Sequence, residues 1–280
     1  MLATIDTLTS PTLKHLRERW WNDDFTEFLT ETLRPRPGNR ILDVGCGEGT
    51  AEVQLGRLHV SQLRLYGIDL MIERVMVAKH ETTSHNQRVG FASADACHLP
   101  FRDGAFDSTF CVAVLQHSGG VDAAVREFAR VTTGNGRVLA VEPDNSARYW
   151  YSATPAGVRA FETSTRFFGA LAQARGDVTE AKVGPRLPTL FAQHGIEPLA
   201  VRVFPVSQTQ LGAPPDAVWQ RRREVVEHAI DHAPTDGVRA MGREYLQVLD
   251  AYADEARHAG PSFIEIQNTM LFATVGQRTE

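Results

Sequence analysis

The chain has 280 residues, of which 42% are hydrophobic and 22% are charged, and its formal net charge is -5. This length and composition can bury one large core, or a core with a smaller subdomain. The negative charge disfavours a nucleic-acid partner, because proteins that grip a phosphate backbone usually show a basic excess or stripe. The one compact basic run, Arg221-Arg222-Arg223, stands beside Glu224 and Glu227 and is typical of a solvated helix face.

The three cysteines, Cys46, Cys97 and Cys111, have no C-x-x-C spacing. Their odd number disfavours a disulfide framework and a zinc site, and we expect no metal. The first thirty residues carry charges without an apolar run, which predicts that no signal peptide is present. No stretch approaches the roughly 20 apolar residues that a membrane span needs. The pattern predicts a soluble, cytoplasmic protein.

Apolar runs alternate with helical patterns along the first half of the chain. Apolar residues recur at near-helical spacing over residues 12–33, and the prolines and glycine of residues 34–38 end this predicted helix. Strands are predicted at Arg40–Val44, Leu65–Asp69, Arg88–Ala92, Phe106–Val112 and Gly136–Glu142, with helices near 49–58, 71–81 and 121–131. Such alternation indicates a parallel sheet with helices on both faces.

The alternation breaks at Pro143. Residues 144–183 and 214–259 have helical patterns, and a helix at Gly184–His194, a strand at Leu199–Val206 and a last strand at Phe263–Val275 are also predicted. We therefore expect an α/β, doubly wound, mostly parallel seven-stranded sheet. We expect residues 1–36 to form an N-terminal helical lid and residues 37–280 to form one domain, in which 144–183 and 214–259 are helical insertions.

A glycine-rich segment, ILDVGCGEGT at residues 41–50, is the most informative part of the sequence. An apolar strand ends in Asp43, and Gly45, Gly47 and Gly49 alternate before a helix. Glycines allow a tight turn and close approach to a ligand, and a helix start favours a carboxylate or phosphate. The spacing G-x-G-x-G differs from the G-x-G-x-x-G of dinucleotide enzymes, and a bare strand-to-helix turn is the alternative interpretation.

Two more acids follow the next two predicted strands. Asp69 can accept both hydroxyls of a ribose, or can cap the helix that begins near Met71. Asp95 can accept from the exocyclic amine of an adenine, or can form an ordinary Asx-turn. Ligands of open α/β sheets bind outside the carboxyl ends of the strands. Three acids at successive strand ends therefore favour one shared ligand over three separate structural roles.

With these motifs, residues 38–145 resemble class I S-adenosylmethionine-dependent methyltransferases, in particular the group similar to ubiquinone- and menaquinone-biosynthesis methyltransferases. The resemblance rests on Asp43-x-Gly45-x-Gly47-x-Gly49, Asp69, Asp95-Ala96, LPFRDGAFD at 99–107, Val114-Leu115-Gln116-His117 and the turn into the fifth strand at Asn135–Leu139. The family often has Pro-Gly-Gly before that strand, where this chain has TGNG at residues 133–136, a departure that a tight turn can absorb.

The resemblance implies a Rossmann-like fold and S-adenosyl-L-methionine as cofactor. The implied cofactor-binding residues are Asp43, Gly45, Gly47, Asp69, Leu70, Asp95, Ala96 and Cys111. Within this set, Gly45 and Gly47 would face the methionine part, Leu70 the adenine, and the Cys111 carbonyl the methionine ammonium. For Leu70 and Cys111, a place in the core is the alternative.

Methyl transfer from a sulfonium is an in-line displacement, for which a protein aligns the acceptor, excludes water and removes a proton from an oxygen or ammonium nucleophile. His117 is the first candidate base, because its unperturbed pKa lies near neutrality. Packing against the cofactor or capping a helix is its alternative. Glu142 and Asp144 are further candidates, as bases or as binders of a cationic acceptor, and loop solvation is their alternative.

Aromatic residues cluster outside the predicted sheet, and Trp20, Trp21, Tyr149 and Trp150 are the predicted acceptor-binding residues. Such side chains make rigid apolar walls with one polar handle, although they can equally join helices to the core. The leading hypothesis is a metal-independent methyltransferase of a small-molecule acceptor, without a nucleic-acid or membrane partner and with a homodimer left open. The alternatives are a protein or RNA methyltransferase, a non-catalytic cofactor-binding protein and a nicotinamide dehydrogenase.

Overall fold

The computed structural model describes residues 20–85, 87–176 and 182–280. These residues form two compact units. The first, here called the sheet unit, contains residues 20–146, 182–204 and 270–280, and the second, the helical unit, contains residues 147–176 and 205–269. The first nineteen residues of the predicted lid lie outside the described residues. The division into a lid and one domain with insertions stays a prediction.

Helices and strands alternate through residue 152, except that β3 is followed directly by β4. In chain order the elements are α1 (Asp23–Leu33), β1 (Arg40–Val44), α2 (Thr50–Gly56), β2 (Arg64–Asp69), α3 (Ile72–Ser84), β3 (Val89–Ser93), β4 (Phe106–Val112), a 3-10 turn (Leu115–His117), α4 (Val121–Val131), β5 (Thr132–Ser152), α5 (Pro155–Arg175), α6 (Val183–Gln193), β6 (Ile196–Leu211), α7 (Asp216–Asp231), α8 (Asp236–Ala259), a second 3-10 turn (Gly260–Ser262) and β7 (Ile264–Arg278). Among the described residues, no helix is long and apolar enough to cross a bilayer.

The strands form one seven-stranded sheet in the order β3-β2-β1-β4-β5-β7-β6. The four pairs among β1 to β5 are parallel. The Gly212 N–H donates to the Phe263 carbonyl, and the Thr279 N–H donates to the Gly195 carbonyl. These bonds join the end of each of β6 and β7 to the start of the other, so this pair is antiparallel. The expected doubly wound, mostly parallel sheet is confirmed.

The core of the sheet unit explains why the strands take these places. Leu42 and Val44 of β1 are fully buried, as are Val125 and Phe128 of α4. Nearly continuous apolar strands are typical of a parallel sheet that is covered on both faces. The register pairs Asp43 with Gly67 of β2, so the carboxyl ends of these strands lie side by side. The sheet therefore brings the loops after its strands to one edge.

Strand β5 runs to Ser152, and the predicted end of this strand at Glu142 is wrong, as is the predicted helical pattern over 144–152. A proline in a central strand normally removes a ladder bond. Here β4 ends at Val112, opposite Val141, so Pro143 lies beyond the end of this neighbour. The helix begins later, at Pro155, where the Thr154 side chain accepts from the Gly157 N–H.

The other predicted elements differ in length. Strands β6 and β7 both extend beyond the predicted strands at 199–206 and 263–275. The helical pattern over 214–259 resolves into α7 and α8, because Thr235 caps a new helix with its side chain accepting from the Val238 N–H. A Ser, Thr, Asp or Asn side chain at this position satisfies one of the free N–H groups of a helix start.

A buried ion pair joins α7 to β7 in the helical unit. The guanidinium of Arg222 donates two hydrogen bonds to Glu265, at 2.9 and 2.7 Å. Glu265 also accepts from the Tyr252 hydroxyl at 2.7 Å and from the Gln267 amide at 2.9 Å. Burial acts to raise the pKa of Glu265, but the bonds and charge of Arg222 outweigh it, and the pKa is lowered. The pair is therefore charged and well satisfied.

We expect Glu265→Ala to lower the free energy of unfolding by about 3 kcal/mol, because the variant leaves Arg222 without its buried partner. Urea unfolding measures this loss. The control is Asp216→Ala, which breaks a pair with Arg257 in which Asp216 is 82% exposed, and it should cost less than about 1 kcal/mol. Equal losses in the two variants would contradict the argument.

Candidate active site

The loop after β1 is tied to the end of β2 by its own backbone. The N–H groups of Gly45 and Cys46 donate to the Ile68 carbonyl at 2.7 and 2.8 Å. The Gly47 N–H donates to the Asp69 carboxylate at 3.0 Å. These three amides are used within the fold, so a ligand would meet the Cα faces and carbonyls of the loop instead.

Gly45 and Gly47 serve different purposes. Both have positive φ, of 79° and 56° respectively, which is a conformation that favours glycine. A Cβ on Gly45 would lie 2.2 Å from a methyl of Val114, so this glycine lets the loop after β4 pack against the loop after β1. A Cβ on Gly47 would meet nothing within 4 Å. Gly47 is therefore the glycine with an open face for a ligand.

Asp69 is held at the end of β2. One carboxylate oxygen accepts from the Gly47 N–H, and the other accepts from the Met71 N–H at 2.9 Å. Met71 itself occupies the N-cap of α3, so the alternative that Asp69 caps this helix does not describe the structure. A carboxylate has about four acceptor positions, so Asp69 keeps capacity for two more donors. Leu70, which is 43% exposed, presents an apolar side chain beside it.

The loop after β3 is joined to the loop after β2. The Ala94 N–H donates to the Asp69 carbonyl at 3.1 Å, and the Ser93 hydroxyl donates to the Leu70 carbonyl at 3.0 Å. Asp95 accepts from the Cys97 N–H at 2.9 Å, which is the Asx-turn of its alternative interpretation. The Asp95 side chain is still 51% exposed, so the turn does not exclude a ligand.

The structure thus brings most of the predicted cofactor residues to one edge of the sheet unit. They lie at or just after the carboxyl ends of β1, β2 and β3, which are neighbours in the sheet. They are Asp43, Gly45, Gly47, Asp69, Leu70, Asp95 and Ala96. Their contacts with a cofactor stay predictions, but the shared edge that the sequence predicted is present.

Glu142 organises the turn that follows β4. It is fully buried, and one carboxylate oxygen accepts from the N–H groups of Val114 and Leu115, both at 2.7 Å. Its other oxygen accepts from the Gln116 N–H at 3.3 Å. Burial raises the pKa of Glu142 to about 7, although the three backbone hydrogen bonds oppose the rise. These contacts support a positioning role, and its predicted role as a base stays a prediction.

His117 is the last residue of the 3-10 turn that Glu142 holds. Its N–H donates to the Val114 carbonyl at 2.9 Å, which fixes the place of its backbone. The Asn145 amide donates to the Gln116 side chain at 2.7 Å, so a second residue of β5 supports the same turn. His117 therefore stands on a turn that is held from two positions of one neighbouring strand.

Cys111 and Asp144 have mainly structural contacts. The Cys111 side chain is fully buried and lies 3.8 Å from the Glu142 carboxylate. The predicted contact of its carbonyl with an ammonium stays a prediction. Asp144 accepts from both the N–H and the hydroxyl of Ser146, at 2.9 and 2.6 Å. This local turn explains an acid at position 144 without a role in catalysis.

The predicted acceptor-binding aromatics fall into both units. Trp21 packs edge-on against Phe25 of α1, with ring centroids 5.1 Å apart, and Trp20 precedes it, half-buried, in the sheet unit. Tyr149 and Trp150 belong to the helical unit. Tyr149 is 57% exposed, whereas Trp150 packs against Phe161. Their binding of an acceptor stays a prediction.

Sequence reasoning missed two residues at this edge. Val114 fills the space that Gly45 leaves open, although the V-L-x-H motif had pointed only to His117. Glu52 lies on α2, is 1% exposed and has its carboxylate over Gly67. An acid on the apolar face of a short helix was the available signal. Its meaning depends on the neighbouring strand, which the sequence of α2 does not show.

His228 of α7 and His232, the C-cap of this helix, have the spacing H-x-x-x-H, with ring centroids 4.2 Å apart. Two ligands alone do not define a metal site, because stable protein sites supply three or more. Within the described ranges, no group of three His, Cys, Asp or Glu side chains could hold a metal ion.

The comparisons with known proteins agree with this geometry. Residues 42–140 match the family model described as a methyltransferase domain. This segment is a class I methyltransferase domain. The resemblance predicted from the motifs is confirmed for it, and with it S-adenosylmethionine as the cofactor of the domain.

Related sequences match this chain over less than half of its length. Methyltransferase GfsG of Streptomyces halstedii is 35% identical over 115 residues, which cover 40% of this chain and 41% of that protein. The 27-O-demethylrifamycin SV methyltransferase of Amycolatopsis mediterranei is 28% identical over 137 residues, covering 45% of this chain and 50% of that protein. The chain thus spans about half the length of the curated relatives it matches, or somewhat less.

A solved structure has a similar fold. Phosphoethanolamine N-methyltransferase 2 of Haemonchus contortus, solved in complex with S-adenosyl-L-methionine, superposes with a TM-score of 0.55. The superposition covers 100% of this chain and 61% of that one, at 16% identity. At this identity the similarity establishes the fold alone, and it does not establish the activity of the whole chain.

Gly45→Ala should destabilise the methyltransferase domain by about 3 kcal/mol, because the new Cβ overlaps Val114 and the positive φ adds strain. The double variant Gly45→Ala/Val114→Ala should recover about 1 to 2 kcal/mol of the interaction. Gly47→Ala, with open space around its Cβ, is the control and should show only the backbone strain of about 1 kcal/mol. Urea unfolding measures these variants together with Val114→Ala, and additive effects at positions 45 and 114 would refute the predicted contact.

The raised pKa of Glu142 makes stability depend on pH. Between its ordinary value of 4.5 and about 7, the folded protein binds more protons at Glu142 than the unfolded chain does. Its contribution to stability is therefore present at low pH and falls as pH rises through this window. Relative to Glu142→Gln, the wild type should lose about 2 to 3 kcal/mol of unfolding free energy between about pH 5 and about pH 8.

Val138→Ala is the control for this measurement, since it truncates a buried apolar side chain in the same strand. Its stability should differ from wild type by the same amount at both pH values. If the difference between wild type and Glu142→Gln is also the same at both, Glu142 does not have the raised pKa in solution.

Proposed function

We propose that the protein transfers a methyl group from S-adenosylmethionine to an oxygen of a small, apolar or aromatic acceptor. The observation that carries the proposal is the open face of Gly47 beside the Asp69 carboxylate, within a methyltransferase domain. The oxygen acceptor is supported by the printed name of the Amycolatopsis mediterranei relative, which methylates an O-demethyl precursor.

The residues present fit this cofactor. Gly47 leaves the space that a Cβ would fill, Asp69 keeps free acceptor positions for ribose hydroxyls, and Leu70 offers an exposed apolar side chain for an adenine face. Asp95 stands at the end of the neighbouring strand, where an exocyclic amine would reach it. Asp43, at the end of β1, provides the acid for the amino-acid end. When bound, the cofactor supplies an electrophilic methyl on a sulfonium.

The protein supplies orientation and proton transfer. We assign His117 to accept the proton of the acceptor hydroxyl, because an imidazole changes charge near neutral pH. Glu142 keeps His117 in place through the amides of the turn that precedes it. Trp20 and Trp21 are proposed to exclude water from the acceptor, as apolar walls of a pocket.

The negative charge of the chain and of the proposed site also favours a small acceptor. The chain carries a net charge of -5, and acids predominate at the proposed site. Such a site repels a phosphate backbone and tolerates an uncharged aromatic or aliphatic hydroxyl. The absence of a nucleic-acid partner, a homodimer and the cytoplasmic location are kept as predictions.

The proposal is tested with methyl-labelled S-adenosylmethionine and a panel of small hydroxylated aromatic and macrocyclic compounds. We expect label in at least one compound, and turnover about 100-fold or more lower in His117→Ala, with affinity for S-adenosylhomocysteine nearly unchanged. Asp69→Ala should weaken S-adenosylhomocysteine binding by roughly ten- to hundredfold, since it removes charge-assisted hydrogen bonds. Asp231→Ala, an exposed acid of the helical unit, is the control.

Three outcomes would count against this function. Labelling of bulk protein or RNA instead of the small compounds would favour a macromolecular acceptor. Tight binding of S-adenosylhomocysteine without transfer to any acceptor would favour a non-catalytic binding protein. Binding of a nicotinamide cofactor, with no heat from S-adenosylhomocysteine, would overturn the cofactor itself.

A further inference from the structure

Glu52 is a buried acid of the sheet unit. It lies in α2, is 1% exposed, and both of its carboxylate oxygens are buried and unpartnered among the described residues. A buried polar group that is left unsatisfied is costly, and native structures rarely keep one without a reason. A proton or a ligand that binds to the carboxylate would satisfy it and is such a reason.

The position of this carboxyl is set by a glycine of the neighbouring strand. A Cβ on Gly67 would lie 2.4 Å from an oxygen of Glu52 and 2.6 Å from the ring of Phe91. The Glu52 carboxyl thus occupies the space that Gly67 leaves on its face of the sheet. Gly67 pairs in register with Asp43 on one side and with Phe91 on the other. Residues in register point to the same face, so Asp43 and the Glu52 carboxyl are neighbours.

The surroundings of this acid pair contain further acids and thiols. Asp69 faces it from β2, Cys46 from the loop after β1, and Cys111 from β4. Helix α3 packs against the start of α2 through Ala78, which carries no charge. No cationic side chain of the described residues contributes to the pKa of Asp43 or Glu52. The pair therefore lacks a positive partner within the described part of the chain.

Burial raises the pKa of Glu52 to about 8. Burial also raises the pKa of Asp43, and the charges of Glu52 and Asp69 raise it further. Two neighbouring carboxyls in such a setting titrate as a unit and keep a proton near neutral pH. Asp43, at 5% exposed, is the member that lies two residues before Gly45 of the glycine loop.

We propose that Asp43 and Glu52 share a proton in the ligand-free protein, and that the ammonium on the amino-acid end of the cofactor displaces this proton to solvent when it binds. The proposal rests on the proposed function, because it concerns the same cofactor. It adds a residue, Glu52, and a consequence, proton release on binding. Glu52 is a positioning residue here, since it acts through Asp43.

The test is calorimetric titration of the whole chain with S-adenosylhomocysteine near pH 7, in buffers of different ionisation enthalpy. We expect the wild type to release between about a half and one proton per ligand. Its affinity for S-adenosylhomocysteine should therefore increase as the pH is raised towards about 8, by up to tenfold per pH unit. In Glu52→Gln, the release should fall to less than half of that value, with affinity at about pH 8 within a few fold of wild type.

Two controls separate the proton from other effects. Glu73→Gln, an exposed acid of α3, should keep the wild-type proton release. Methylthioadenosine, which has the adenosyl part but no amino acid, should bind without releasing a proton. Equal release in wild type and Glu52→Gln, or none in wild type, would overturn the proposal while leaving the proposed function intact. No binding of either ligand would instead refute the proposed function.

A measurement without ligand tests the same pair. Because the pKa of Glu52 is raised, the folded wild type gains protons there that Glu52→Gln cannot. The wild type should therefore lose stability relative to Glu52→Gln as pH rises from about 5 to about 8, seen as a downward shift of its unfolding midpoint. A shift that does not change with pH would overturn the shared proton, even if the cofactor binds.

Discussion

The hydrogen bonds from the backbone of residues 114–116 to the buried Glu142 carboxylate hold the candidate site together. They fix the turn after β4, and Val114 of this turn fills the space beside Gly45. The amides of the loop at Gly45 in turn bond to the end of β2, where Asp69 stands. A disturbance at Glu142 therefore reaches Asp69, the proposed ribose-binding acid, through contacts that link four neighbouring strands, β5, β4, β1 and β2.

The sequence predicted the parallel part of the sheet well, because buried apolar strands and amphipathic helices have distinct periods. The predicted β1, β4 and α4 coincide with the observed ones. The wrong predictions lie where the spacing of apolar residues is no longer informative. Pro143 suggested an end to β5, yet the strand continues, since β4 has already ended beside it. Whether a proline costs a ladder bond depends on a neighbour that lies elsewhere in the chain.

The same distinction explains which parts of the site could be predicted. Acids at the ends of β1, β2 and β3 share an edge by the topology of a parallel sheet, so Asp43, Asp69 and Asp95 could be grouped from their positions. The contacts of Glu142 follow from the turn after β4, in which Ala113 adopts a φ of +57°. No local sequence pattern predicts that turn. The place of Glu52 depends on Gly67 of β2, against which only the tertiary packing brings its carboxyl.

Four buried acids at one end of a sheet require compensation, because ionised carboxylates lose favourable hydration there. For Asp69 and Glu142 the structure supplies backbone N–H groups. For Asp43 and Glu52 the described residues supply no cation, and the proposed shared proton compensates them instead. Such an edge attracts a ligand more strongly in its more positive charge state. A sulfonium cofactor loses one positive charge on methyl transfer, so the same acids that favour its binding favour release of the product.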